Sequence, residues 1–138
     1  MKSSDEKLIY PELSYEINGI LFEVHNDLGR FCNELQYGDA IEKLLKEKNV
    51  KYSREQILEK SFDSEKAGRN KVDFLIEDKI ILEIKAKRFI VKDDYYQTKR
   101  YLISSKTKLG LLVNFRDKYL RPRRVLNSNT IINPIRNL

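Results

Sequence analysis

The chain has 138 residues, of which 41% are hydrophobic and 35% charged, with five Gly and three Pro. That length suits a single domain with its own core, expected over 1–138 with its centre at about 15–127, and the composition excludes a disordered or low-complexity chain. The net charge of +6 is unevenly spread: from Lys106 to Leu138 eight Lys or Arg face the single acid Asp117, which leaves the remainder of the chain near neutral.

A basic third of this kind is the electrostatic footprint of a polyanion binder, and equally of a solvated basic surface. The first ten residues, MKSSDEKLIY, lack the apolar stretch of a signal peptide. No apolar run approaches the roughly 20 residues of a membrane span. A cytoplasmic protein without a membrane contact is expected.

Residues 14–27 carry Ile17, Ile20, Leu21 and Val24, followed by Leu28, at helical spacing, with Ser14 as a candidate cap and Gly29 as the stop. The single cysteine, Cys32, rules out an internal disulfide and a multi-cysteine zinc site and is expected as a buried free thiol. A second helix fits 34–49, with Leu35, Ile41, Leu44, Leu45 and Lys48 on one side and Asn49 at its end. The period then changes. Residues 52–58 alternate loosely as a strand, and 61–70, polar and containing Gly68, form a loop. Residues 72–76 and 80–85 are β-rich and separated by Glu77-Asp78-Lys79, which predicts a hairpin. Asp93-Asp94 opens a helix to about Ser105, with acids at its positive end. Residues 108–115 read as a buried strand, and 120–126 as a last strand that Pro122 confines to an edge. The order α-α-β-β-β-α-β-β implies a sheet with packed helices, an α/β or α+β domain.

The hairpin carries the chemistry. A three-residue loop pairs Ile76 with Ile80 and sets Asp73 opposite Glu83. One face then collects Val72, Phe74, Ile76, Leu82, Ile84 and Ala86. The other collects Lys71, Asp73, Glu83, Lys85 and Lys87, with Leu75 and Ile81 nearer the turn. A one-residue slip would mix the faces, so the pattern specifies this register. Opposed residues have Cβ atoms roughly 4.5–5.5 Å apart, and two carboxylates at that distance repel unless a cation or a proton lies between them. Hard oxygen ligands suit Mg²⁺ or Mn²⁺. Lys85, on the same face, can hold or help deprotonate an attacking water, or offset charge on a phosphate. The same residues would also suit an exposed hairpin face laced with surface ion pairs.

Asp73 followed by Glu83-Ile84-Lys85 inside ILEIKA resembles the D…ExK core of PD-(D/E)xK nucleases. Residues 15–127 more closely resemble the small GxxExxR proteins, a branch of that superfamily, through FEVHNDLGRFCNELQY, NKVDFLIEDKIILEIKA, YYQTKRYL and LGLLVNF in that order. Gly29-Arg30-Phe31 stands where that family often has Gly-Pro-Gly, with Phe31 in a glycine place and Tyr37 in the arginine place.

The resemblance implies a restriction-endonuclease-like core, a mixed four- to five-stranded sheet flanked by helices. It also implies metal-dependent hydrolysis of phosphodiester bonds in nucleic acid, with Mg²⁺ or Mn²⁺ as cofactor. Asp73 and Glu83 match the metal-binding carboxylates, with the backbone carbonyl of Ile84 as a further ligand, and Lys85 matches the catalytic lysine. Glu34 matches a helix acid that reaches toward the metal. Gln97 and Tyr101 match a Q-x-x-x-Y signature, Gln97 to orient DNA or a water and Tyr101 to stack or to bond a phosphate, unless it is a core tyrosine.

Arg121, Arg123 and Arg124 are the candidate phosphate contacts. His25, the only histidine, has no visible partner for general-base work, and the Tyr95-Tyr96 pair reads as helix packing. The expected partner is nucleic acid, DNA ahead of RNA, and a homodimer is compatible with the chain. The competing expectation is a non-cutting nucleic-acid-binding or protein-interaction module that keeps the same fold.

Overall fold

The computed structural model of the protein describes residues 9–127. Helix α1 spans Pro11–Leu28 and α2 Glu34–Glu47. Strands β1 (Tyr52–Ile57), β2 (Lys71–Ile76) and β3 (Ile80–Lys85) follow, then helix α3 (Lys92–Ser105), β4 (Leu109–Asn114) and β5 (Arg123–Leu126). The five strands form one sheet in the order β1-β2-β3-β4-β5. Only β3 and β4 run parallel, and α3 is the crossover between them. The element order and the edge position of the Pro122-flanked strand are as the sequence implies. Arg136 and the rest of the basic tail beyond residue 127 lie outside the described residues.

The helix ends follow from local chemistry. Pro11 starts α1, where a missing N–H costs nothing, and Tyr10 before it adopts a left-handed backbone at φ 53°. Ser14 is therefore inside the helix rather than its cap, and its hydroxyl donates to the Tyr10 carbonyl. Gly29 stops the helix at φ 76°, with its N–H on the His25 carbonyl. Asn33 caps α2: its Oδ1 accepts from the Gln36 N–H at 2.9 Å, and Gln36 Oε1 accepts from the Asn33 N–H at 2.8 Å. This reciprocal box makes Glu34 the first residue of α2, at the positive end of the helix dipole. Leu35 is not on the buried side; the inward stripe is Tyr37, Gly38, Ile41 and Leu45.

Two apolar layers cover the sheet. On one side α1 and α2 pack over Phe74, Ile76, Leu82, Ile84, Leu111, Val113 and Phe115. On the other, Tyr101 and Leu102 of α3 pack with Ile81, Leu112 and Val125. Gly110 lets α3 approach β4 closely, since a Cβ there would lie 3.0 Å from Thr98 Cγ2 and 3.4 Å from Leu102 Cδ2.

The Tyr37 ring stacks on Phe115 at 4.2 Å, and its hydroxyl donates to the Gly29 carbonyl at 2.6 Å while accepting from the Cys32 N–H at 3.2 Å. The tyrosine in the arginine place thus braces the link between α1 and α2. Cys32 is a free thiol but half-exposed rather than buried. His25 bonds the Asp117 carbonyl through Nε2 and tilts against Phe115, a packing role. Tyr95 and Tyr96 touch each other edge-on but both are exposed, so they do not pack beneath the helix.

Tyr37→Phe removes the hydroxyl that serves both Gly29 and Cys32. The expected loss is about 0.5–1.5 kcal/mol per hydrogen bond removed, read as a lower urea midpoint with an unchanged slope.

Candidate active site

The register of the hairpin is the one the pattern specifies: Ile76 pairs with Ile80, Leu75 with Ile81 and Phe74 with Leu82. The ladder then stops. Where Asp73 and Glu83 would form the next pair, the side chains take over the hydrogen bonding. Glu83 Oε2 accepts from the Asp73 N–H at 2.8 Å, and Asp73 Oδ2 accepts from the Ile84 N–H at 2.7 Å. On the other flank of Asp73, Glu55 of β1 has a left-handed backbone at φ 56° and makes no strand pair, although Arg54 and Gln56 beside it do. Beyond this break Val72 packs with the α3-side layer, not with Phe74, contrary to strict alternation.

Among the described residues each carboxylate keeps one oxygen free of any protein hydrogen bond, and neither has an ammonium or guanidinium within ion-pair distance. Glu83 is only 4% exposed. Burial, with the Asp73 charge adding to it, pushes its carboxyl from 4.5 up to about 8. Burial also raises Asp73, with the charge of Glu34 in the same direction.

A narrow cleft of about 100 Å³ joins Asp73 and Ile84 to Glu34, Glu55 and Arg54. Of the predicted acids, the cleft brings Glu34 from the start of α2 to Asp73, while Glu83 meets Asp73 across the hairpin without lining the cleft. Glu55, read from the sequence as ordinary surface, joins them; its only signal is the left-handed backbone, which no sequence pattern announced.

Lys85 is held from α3. Its Nζ donates to Gln97 Oε1 at 3.3 Å and lies 3.8 Å from Asp94 Oδ1. Asp94 also pairs with Lys87 and accepts the Val91 N–H at 2.9 Å. Burial alone would raise Asp94, but these lysines and the N–H outweigh it and hold the carboxyl below its ordinary range. Asn114 fixes the following backbone, accepting from the Lys87 N–H at 3.1 Å and donating to its carbonyl at 2.7 Å. Asp94 and Asn114 were not among the sequence candidates. The acidic doublet at the helix start was visible, but only the fold brings it beneath the lysines.

Tyr101 is 6% exposed and packs in the α3 layer, so its ring is covered against base stacking. Burial raises its hydroxyl, and the charges of Glu83 and Asp73 reach it. Arg123 is exposed, and Leu112 pairs with both Glu83 and Arg123, so the two stand at one level of the α3 face, two strands or roughly 10 Å apart. Arg124 faces the other way. Its guanidinium donates to Ser14 Oγ at 3.0 Å and to the Ile9 carbonyl at 2.8 Å, which commits it to the first turn of α1 rather than to phosphate. Arg121 lines a separate depression with Asp117, Lys118 and Tyr119.

The profile of the PD-(D/E)XK nuclease superfamily matches residues 11–125. The chain belongs to the PD-(D/E)XK nuclease superfamily. Its mixed five-stranded sheet with flanking helices is consistent with the restriction-endonuclease-like fold. Among curated proteins no sequence matches it. The crystal structure of SSO0001 aligns at a TM-score of 0.49 with 16% identity, over 85% of this chain and 67% of that one.

PD-(D/E)XK nucleases generally use divalent metals and act on nucleic acid. Among the described residues no three His, Cys, Asp or Glu side chains are close enough to hold an ion by themselves. The pair Asp73 and Glu83 nevertheless fits a hard cation that takes one or two carboxylates and completes its shell from water and substrate phosphate. No described helix is long and apolar enough to cross a membrane.

A carboxyl whose folded pKa is raised adds stability while protonated, complete below 4.5 and lost as pH rises through about 8. In metal-free protein Glu83→Gln, which cannot ionise, should therefore gain on the wild type between those limits, by on the order of 1–3 kcal/mol. Thermal melts in chelator across that range measure the difference, and added Mg²⁺ should restore the wild type only.

Proposed function

We propose that the protein is a metal-dependent nuclease that hydrolyses phosphodiester bonds, with DNA as the substrate to test first. The observation that carries this reading is the pair of half-buried Asp73 and buried Glu83, each with one carboxylate oxygen free and, among the described residues, no cation in ion-pair contact, beside a lysine held in place by Gln97. A structural role does not require two neighbouring carboxyl groups with no cation in direct contact, because burying such groups is costly.

In this reading Asp73, Glu83, the Ile84 carbonyl and Glu34 would hold Mg²⁺ or Mn²⁺. The cation, when bound, supplies Lewis-acid charge against the scissile phosphate and the oxyanion that develops there. Lys85 orients the attacking water or offsets charge on the phosphate, and Gln97 and Asp94 act as positioning residues that hold its ammonium at the site. Arg123, at the level of Glu83 on the same face, contacts the substrate backbone, with Arg121 further along. The broken GxxExxR pattern, with Phe31 and Tyr37 at two of its places, makes this a divergent member of that branch.

Titration calorimetry of Mg²⁺ and Mn²⁺ tests the metal. Wild-type protein should bind at millimolar concentration or tighter, and Asp73→Asn should not. Cleavage of labelled single- and double-stranded DNA tests the chemistry. Glu83→Ala and Lys85→Ala should each lower the rate by about 10²–10⁴-fold, with Asp94→Asn in between. Cleavage that survives both alanine changes would sink the assignment. Salt-sensitive binding with no cleavage in any metal would favour the non-cutting module.

A further inference from the structure

Phe31 is a large apolar side chain left 75% exposed. It stands in the short link between α1 and α2, and two guanidinium groups attend it: Arg30 at 5.0 Å and Arg116 at 5.5 Å from the ring centroid. The two arginines are locked to each other's backbone, Arg30 Nε donating to the Arg116 carbonyl at 2.8 Å and Arg116 Nε to the Arg30 carbonyl at 3.0 Å. Arg116 also reaches the Ala86 carbonyl at 3.3 Å. Among the described residues neither arginine has a carboxylate within ion-pair distance. The link itself is pinned by the Tyr37 hydroxyl on Gly29 and Cys32. The link backbone and both guanidinium groups are thus tied by hydrogen bonds beneath an aromatic ring that stays largely open.

The position ties this unit to the carboxylates. Phe31 and Arg116 line an open cavity of about 610 Å³ that continues past Glu34 and Leu35 to Ala86. Glu34 and Leu35 also line the cleft that contains Asp73 and Ile84. The two hollows therefore adjoin at Glu34 and Leu35, which places the exposed ring next to the cleft of Asp73.

We infer that Phe31, with Arg30 and Arg116, is a stacking platform for an unpaired nucleobase, and that the substrate reaches the adjoining cleft as a single strand. This deepens the nuclease reading and rests on it. The ring surface left open binds any base through its π-surface, and the guanidinium groups over the rest of the ring extend the stack and meet the phosphate that follows. In a duplex those base faces are already stacked and paired, so the platform is used only by a strand end, a loop or an opened segment. Preorganisation by the Tyr37 brace reduces the ordering cost of binding.

Fluorescence anisotropy of the full chain in chelator, at fixed salt, compares a labelled single-stranded oligonucleotide with its duplex. Wild-type protein should prefer the single strand. Phe31→Ala should weaken single-strand binding by about 5- to 150-fold and leave duplex binding unchanged. Because the chain contains no Trp, Phe31→Trp provides a lone reporter: it should retain binding, and the single strand should quench its emission. Single-strand affinity unchanged in Phe31→Ala, or emission from Phe31→Trp that ignores the oligonucleotide, would overturn the platform. So would a concentration-dependent dimer that Phe31→Ala dissolves, since the ring would then belong to a second copy. If Phe31→Ala cuts and binds both substrates as the wild type does, only the platform falls. If wild-type protein neither binds nor cuts any oligonucleotide with Mg²⁺ present, the nuclease reading falls and the platform with it.

Discussion

The structure turns on an exchange of hydrogen bonds at one level of the sheet. Between Phe74–Leu82 and the end of the hairpin, two backbone N–H groups are satisfied by carboxylates instead of carbonyls. A buried N–H must find an acceptor, so removing either acid leaves a donor unpaired as well as deleting a charge. The exchange holds the two acids side by side, each with one oxygen turned away from the backbone. It also ends the β2–β3 ladder, and the left-handed turn of Glu55 on the neighbouring strand widens the opening into a cleft.

The surrounding elements are arranged to tolerate that electrostatic load. Glu83 sits at the centre of the sheet beneath α3, where desolvation and the Asp73 charge both disfavour ionisation. Lys85 is bound to Gln97 and Asp94, so its charge reaches both acids without an ion pair to either. Asp94 in turn is kept ionised by Lys85, Lys87 and the Val91 N–H. The result is a strained distribution of charge that a cation would relieve, which is how functional sites commonly depart from the most stable arrangement.

Positive charge on the protein divides by role once the fold is known. Arg124 is structural, tied to the start of α1. Arg54 is held by Asp39 and Glu42 against α2, beside Gly38, where a Cβ would meet its guanidinium. Arg30, Arg116 and Arg123 have no acidic partner within ion-pair distance among the described residues. Net charge pointed to a polyanion partner; only these placements separate the arginines that can meet one from those that cannot.

Much was legible in the sequence because it was local. Period-two alternation specified the hairpin register, and with it the neighbourhood of Asp73 and Glu83, since a slip would have buried charge on the apolar face. Helical spacing found the first two helices, the Asp93-Asp94 doublet marked the start of the third, and Pro122 marked an edge strand. What failed was whatever depended on a second element. Leu35 looked inward by helical period but faces solvent, because the cap at Asn33 and the Tyr37–Phe115 stack decide which stripe of α2 meets the sheet. Arg123 and Arg124 are adjacent and chemically alike, yet strand alternation sends one to the open α3 face and the other beneath α1. Glu34, Glu55, Asp94 and Asn114 reach the site across long sequence separations. Spacing along the chain determined which residues share a strand face. Only packing between elements decided which charges meet there, because electrostatic partners are chosen by distance in space and by the water excluded between them.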